Sequence, residues 1–115
     1  MTFTRLLPFQ LHAALEALMA PAIIAVPFAL GFAPVALVGA ILLGGLVMGS
    51  ALHGSARIPR VSTHAGLDLL AAIAAGGGAV GLALVGEPAA ATFFVAVAAL
   101  QALLSVSTRY TTDAG

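Results

Sequence analysis

Two short stretches carry most of the chemistry this chain can offer. His12-Ala13-Ala14-Leu15-Glu16 and His64-Ala65-Gly66-Leu67-Asp68 repeat one pattern, His-Ala-x-Leu-acid, each at the front of a long apolar run. In a helix, residues four apart share a face, so each histidine stands over its own acid. Two imidazoles and two carboxyls in one layer could serve three ends. They could tie helices together by hydrogen bonds, with the acids favoured by the helix N-termini. They could share and relay protons or carry a cation, with Glu16 and Asp68 as carriers and His12 and His64 as relays. They could also ligate a metal or haem through His12 and His64, although no diagnostic metal motif is present. Gln101 is the remaining long polar side chain able to join them.

The elements that must position these residues follow from composition. Hydrophobic residues make up 62% of the 115, only 7% are charged, and the mean hydropathy is +1.17. Soluble domains carry about 25% charged residues, so the reading is an integral membrane chain whose main partner is the lipid bilayer. The formal net charge is zero and no basic tract occurs, which argues against nucleic acid as a partner. With no cysteine there is no disulfide, thiolate ligand or redox thiol. No nucleophile elbow, phosphate loop or zinc motif appears, so the sequence points away from an enzyme and requires no cofactor.

Four apolar runs cover about 11–30, 35–52, 64–85 and 89–107. Gly31-Phe32-Ala33-Pro34 and Gly86-Glu87-Pro88 supply tight turns, and the polar stretch 53–63 with Pro59 forms a longer loop. Lipid offers backbone amides no partners, so runs of this length are helices, and the alternation of a membrane strand is missing. The predicted fold is all-α: one membrane domain of four transmembrane helices, arranged as two tandem two-helix hairpins. Hairpin 1 covers about 11–52, the loop 53–63, hairpin 2 about 64–107 and the tail 108–115. A cleaved signal peptide in the first run is the lesser reading, because Glu16 and Pro21 sit badly in its apolar region.

All four basic residues, Arg5, Arg57, Arg60 and Arg109, fall on one side of this arrangement, and neither tight turn carries one. The positive-inside rule then places both termini and the central loop in the cytoplasm, in the plasma (inner) membrane. Phe3, Leu6, Leu7 and Phe9 read as an interfacial lead-in and Tyr110 as an anchor at the other end.

Each two-helix unit has an even number of spans, so both copies of the motif point the same way and lie at one depth. At about 1.5 Å per residue, Glu16 and Asp68 come roughly 6–9 Å inside the cytoplasmic helix ends, with Gln101 near that level and Ser50 closer to the surface. Small residues predict close helix packing: the GxxxG of Gly45 and Gly49, Gly77 and Gly81 in the third run, and a line of Ala36, Ala40 and Gly44 on another face. Gly76 to Gly78 in mid-span read as packing, with a broken helix at a cavity as the alternative. Pro21 and Pro27 are expected to kink the first helix.

Around Val26-Pro27-Phe28-Ala29-Leu30-Gly31-Phe32 the first hairpin, about residues 12 to 52, resembles the SPW-repeat family of small bacterial membrane proteins. Their two-helix units carry Ser-Pro-Trp near the end of the first helix, commonly followed by Gly. Val26 and Phe28 stand where that family has Ser and Trp, and the second unit has no matching Pro. The resemblance implies two-helix repeats and no particular chemistry. Four spans with Glu16 in the first also resemble small multidrug-resistance exporters, in which that acid exchanges protons for cationic drugs. Here the arginine bias, the lack of Trp and a second acid, Asp68, depart from that pattern.

The reading that results is a small structural or accessory membrane component, packing with itself as a homo-oligomer or within a larger membrane complex. A proton- or cation-coupled small transporter or channel using Glu16 and Asp68 stands second, and a His-ligated haem or metal protein third. The arginine bias makes the topology testable: a reporter fused after Gly115 should behave as cytoplasmic and one inserted at Glu87 as external, and cytoplasmic behaviour at 87 would overturn the span count.

Overall fold

The computed structural model describes residues 8–54 and 61–108 and is all-α. Its helices are α1 (Phe9–Ala29), α2 (Pro34–Gly54), α3 (Val61–Leu84) and α4 (Pro88–Ser107). Each is 20 to 24 residues long, which at about 1.5 Å per residue matches a hydrocarbon core of about 30 Å. All four are long and apolar enough to cross a membrane, and the chain is a multi-pass helical membrane protein. The four arginines, Tyr110, and Phe3, Leu6 and Leu7 of the expected lead-in lie outside the described residues.

Two helix ends show how the hairpins are made. After α1, Gly31 adopts φ +70°, Phe32 N–H donates to the Pro27 carbonyl at 3.0 Å and Gly31 N–H to the Phe28 carbonyl at 3.2 Å. After α3, Gly86 adopts φ +81°, Glu87 N–H donates to Leu82 at 2.8 Å and Gly86 N–H to Ala83 at 3.2 Å. Both are glycine-terminated caps that satisfy the last carbonyls of a helix, and only glycine takes such a φ without strain. Pro34 and Pro88 then open the next helices, where a missing N–H costs nothing.

The polar connection is shorter than hydropathy predicts. His53 and Gly54 belong to α2, and α3 begins at Val61. A membrane helix runs on past its apolar stretch wherever polar side chains reach water, so a boundary drawn at the last apolar residue falls short. Phe9 departs from the expected lead-in role as well. It is the first residue of α1 and only 3% exposed. Neither Pro21 nor Pro27 interrupts α1, and α3 runs unbroken through Gly76–Gly78.

Helix α1 packs along α2 and α3 along α4, α2 joins the two hairpins by packing on α3, and α1 and α4 meet along a thin seam. The core between them is built of Ala20, Ala36, Ala40, Val47, Ala75 and Phe94, with neighbours of similar size. In lipid, apolar burial drives nothing, so contact depends on how closely backbones approach. The line Ala36, Ala40 and Gly44 provides that approach: a Cβ on Gly44 would overlap the Ile24 side chain and lie 3.1 Å from the Ala20 carbonyl oxygen. The Phe94 ring occupies the space that side chains at Gly39 and Gly78 would need, at 3.3 and 2.9 Å. The glycines expected to pack the bundle do otherwise. Gly45, Gly49, Gly77 and Gly81 are exposed, and a Cβ at any of them meets nothing within 4 Å. Their spacing marks two outward faces, because the packing stripe of α2 lies one residue earlier.

Replacing Gly44 by Leu should therefore destabilise the chain by about 1–3 kcal/mol through overpacking, whereas the double change Gly45→Leu, Gly49→Leu should leave the melting temperature in mild detergent within a few degrees. Equal losses from both would show that the outward glycines also carry the fold.

Candidate functional site

The packing of the two hairpins brings the front of α1 and the front of α3 together at the end of the bundle that holds Phe9 and Thr108. His12 and His64 each stand one turn before an acid on the same face, so both pairs project between the helices. His12, Glu16, His64 and Asp68 are 0% exposed and Gln101 is 1% exposed. The five candidate polar residues meet in one sealed cluster.

The bonding crosses between helices. His12 Nε2 lies 2.8 Å from Asp68 Oδ2, and His64 Nε2 lies 2.9 Å from Glu16 Oε1. Each histidine also approaches the acid of its own helix, at 3.4 Å for His12 with Glu16 and 3.2 Å for His64 with Asp68. Gln101 bridges the acids from α4: its Nε2 donates to Glu16 Oε2 at 2.7 Å and to Asp68 Oδ1 at 3.2 Å. Helices 1 and 3 thus share both carboxyls, and helix 4 holds the carboxyls to each other.

A second hydrogen bond fixes the direction of one imidazole. His12 Nδ1 lies 2.6 Å from Thr108 Oγ1, and that hydroxyl donates its own proton to the Leu104 carbonyl. Thr108 therefore accepts, so His12 carries a proton on Nδ1 and presents Nε2 to Asp68. Nε2 without a proton is an acceptor, and so is a carboxylate oxygen. Something positive, a proton or a metal ion, has to lie between them.

Aromatic rings and a glycine cap this layer. Phe9 stands edge-on to His64 with centroids 4.9 Å apart, and the His53 ring stacks on His64 at 5.6 Å. A Cβ on Gly54 would come 2.8 Å from the Ala13 Cβ and 2.9 Å from His64 Cε1, so α2 passes too close for a side chain there. Thr108, Phe9, His53 and Gly54 were hidden to a reading of apolar runs, which left them as tail, lead-in and loop. The helix period carried the signal: Phe9 is three residues before His12, and Thr108 is seven after Gln101 and so shares its face.

One ligand atom from each of His12, Glu16, His64 and Asp68 lies within 4.8 Å of every other, a set compact enough to surround a single ion. It does not suit haem between His12 and His64, since the carboxyls already fill the gap between their Nε2 atoms. No family model, curated protein or solved structure matches the chain.

Changing Thr108 to Val removes the acceptor for His12 Nδ1 and leaves a buried donor unsatisfied, at about 1–3 kcal/mol. Thr108→Ser keeps the acceptor and should keep most of the stability. Thermal melting of the purified variants in one detergent checks this, and a Val variant as stable as Ser would remove Thr108 from the network.

Proposed function

We propose that this is a small cation-handling membrane protein, with the cluster of His12, Glu16, His64, Asp68 and Gln101 as the place where the cation is held. The observation that carries the reading is the pairing of two buried carboxyls with inward-facing imidazole nitrogens, sealed from solvent and lipid alike. An ionised carboxyl in a spanning helix costs up to about 2.5–3.5 kcal/mol at the centre on insertion scales, and such groups mark ion pathways and binding sites. A bundle that needed only adhesion has cheaper means, since small-residue packing already joins its helices.

The arginine bias supports the finer placement in a plasma membrane with both helix ends of this layer on the cytoplasmic side. Access is then from the cytoplasm, past Phe9 and His53. The structural reading, in which the cluster is only a tie, draws its support from the thin seam between α1 and α4: polar bonds through Gln101 hold that side together.

Liposomes separate the two readings. Reconstituted protein, with pH-sensitive and divalent-cation-sensitive dyes inside, should carry protons or metal ions at least tenfold faster than empty vesicles. The double variant Glu16→Gln, Asp68→Asn keeps hydrogen-bonding side chains, so it should fold, as shown by helical circular dichroism and elution volume, and it should lose the flux. Flux indistinguishable from empty vesicles, or unchanged in the double variant, would overturn the cation reading and leave the cluster as a structural tie.

A further inference from the structure

We propose that the buried cluster is a site for one divalent first-row transition-metal ion, ligated by His12, His64, Glu16 and Asp68. The assignment rests on the cation reading above and names the ion. Four independent features of the cluster lead to it.

The first is geometry. Four-coordinate sites with bonds of about 2.0–2.2 Å place neighbouring ligand atoms about 3.4 Å apart. Between the oxygens that face the imidazoles most closely, Asp68 Oδ2 and Glu16 Oε1, and the Nε2 atoms of His12 and His64 the separations are 2.8 and 2.9 Å, and one ligand atom from each of the four residues lies within 4.8 Å of every other. Opening the two short edges by about half an ångström and drawing the longest in by up to about 1.4 Å, within reach of side-chain rotation, converts the cluster into a tetrahedron of ligands.

The second is the division of labour among carboxyl oxygens. Gln101 takes Glu16 Oε2 and Asp68 Oδ1. Glu16 Oε1 and Asp68 Oδ2, the oxygens nearest His64 and His12, remain to ligate. Thr108 holds Nδ1–H of His12, which leaves Nε2 as the ligating nitrogen. Hydrogen bonds to the far side of ligating histidines and carboxylates are how proteins orient metal ligands, and Thr108 and Gln101 occupy those positions.

Charge is the third. Two carboxylates, two neutral imidazoles and one divalent ion sum to zero, so the loaded cluster carries no net charge into the bilayer. A monovalent ion would leave one negative charge buried, and a trivalent ion one positive charge, each penalised by desolvation.

Donor chemistry is the fourth. Two nitrogens and two oxygens suit zinc, manganese, iron or cobalt in their divalent states. Calcium and magnesium prefer all-oxygen shells, and copper(I) prefers the sulfur ligands that this cluster lacks. All four positions of a tetrahedron would be filled by protein, so the ion is bound as cargo or as structure and keeps no open position for a substrate.

The test uses the full chain purified in mild detergent, stripped with chelator and titrated with Zn²⁺ or Co²⁺ chloride. One ion per chain is expected, and Co²⁺ should give the intense visible bands of a tetrahedral site. Glu16→Gln with Asp68→Asn should weaken binding at least 100-fold while the helical spectrum is retained. Gln101→Leu, which touches no ion, should weaken it about 10- to 100-fold. Ca²⁺ and Mg²⁺ should not compete. Absence of stoichiometric Zn²⁺ and Co²⁺ binding to the wild type, or equal affinity in the double variant, would overturn the metal site. Proton flux in liposomes without metal binding overturns this assignment and leaves the cation reading standing, whereas tight metal binding without any flux upholds the site and overturns transport.

Discussion

Two carboxyl groups inside a membrane have to be compensated, and in this protein each is compensated from the other hairpin. His12 on α1 reaches Asp68 on α3, and His64 on α3 reaches Glu16 on α1. A carboxylate stripped of water, with no partner, is among the costliest groups a bundle can bury. Losing one partner of such a set harms more than the set contributes when whole. The exchange fixes the relative height of the hairpins, because a slide of one turn, about 5.4 Å, would break every bond at once. It also fixes which faces of α1 and α3 look inward. Gln101, two turns from the end of α4, adds the last helix to the same level.

Much of the remaining packing can be understood as making room for that layer. Gly54 lets α2 run past His64, and Gly44 lets α2 close on α1 at Ile24 and Ala20. Phe94 fills the space left by Gly39 and Gly78 further along the bundle, beyond the polar layer. Between α1 and α4 the fit is poorer, leaving an apolar groove lined by Met19, Ile23, Val26, Phe93, Val97 and Leu100. That groove begins one turn from Glu16 and beside Gln101, so the polar layer and the small-residue contacts of the hairpins divide the work of cohesion between them.

The four spans and their all-α character were legible because hydropathy and the ban on unpaired amides in lipid leave no other structure for such runs. The pairing of the two His-Ala-x-Leu-acid stretches at one level was legible as well, since equal depth follows from even numbers of spans. Among the small-residue motifs the line Ala36, Ala40 and Gly44 pointed to the packed face, and the pairs Gly45 with Gly49 and Gly77 with Gly81 misled. Gly45 and Gly49 have the spacing of a packing motif, yet the buried stripe of α2 runs through Ala36, Ala40, Gly44 and Val47. Spacing specifies a face, and only the neighbouring helix decides whether that face is inside. Thr108 and Phe9 were missed for a related reason: hydropathy locates where a helix leaves the hydrocarbon, whereas their contacts depend on the helix period continuing past that point. The cross-helix choice of partner, His12 for Asp68 in preference to Glu16, depends on distances of a few tenths of an ångström that no pattern encodes.

The separation in sequence between these partners has a bearing on how the chain is made. Glu16 is 48 residues ahead of His64 and 85 ahead of Gln101, and His12 is 96 ahead of Thr108. A ribosome therefore delivers the first hairpin to the membrane with only His12 near its acid, at 3.4 Å, and the closer partners His64 and Gln101 arrive with the second half. Local turns such as the Gly31 cap can close as soon as they emerge, but the polar layer is completed last. The newborn first hairpin is a half-site, and a chain cut short before α3 would leave Glu16 with the imidazole of its own helix alone, a poorly compensated carboxyl of the kind that costs most to bury in a membrane.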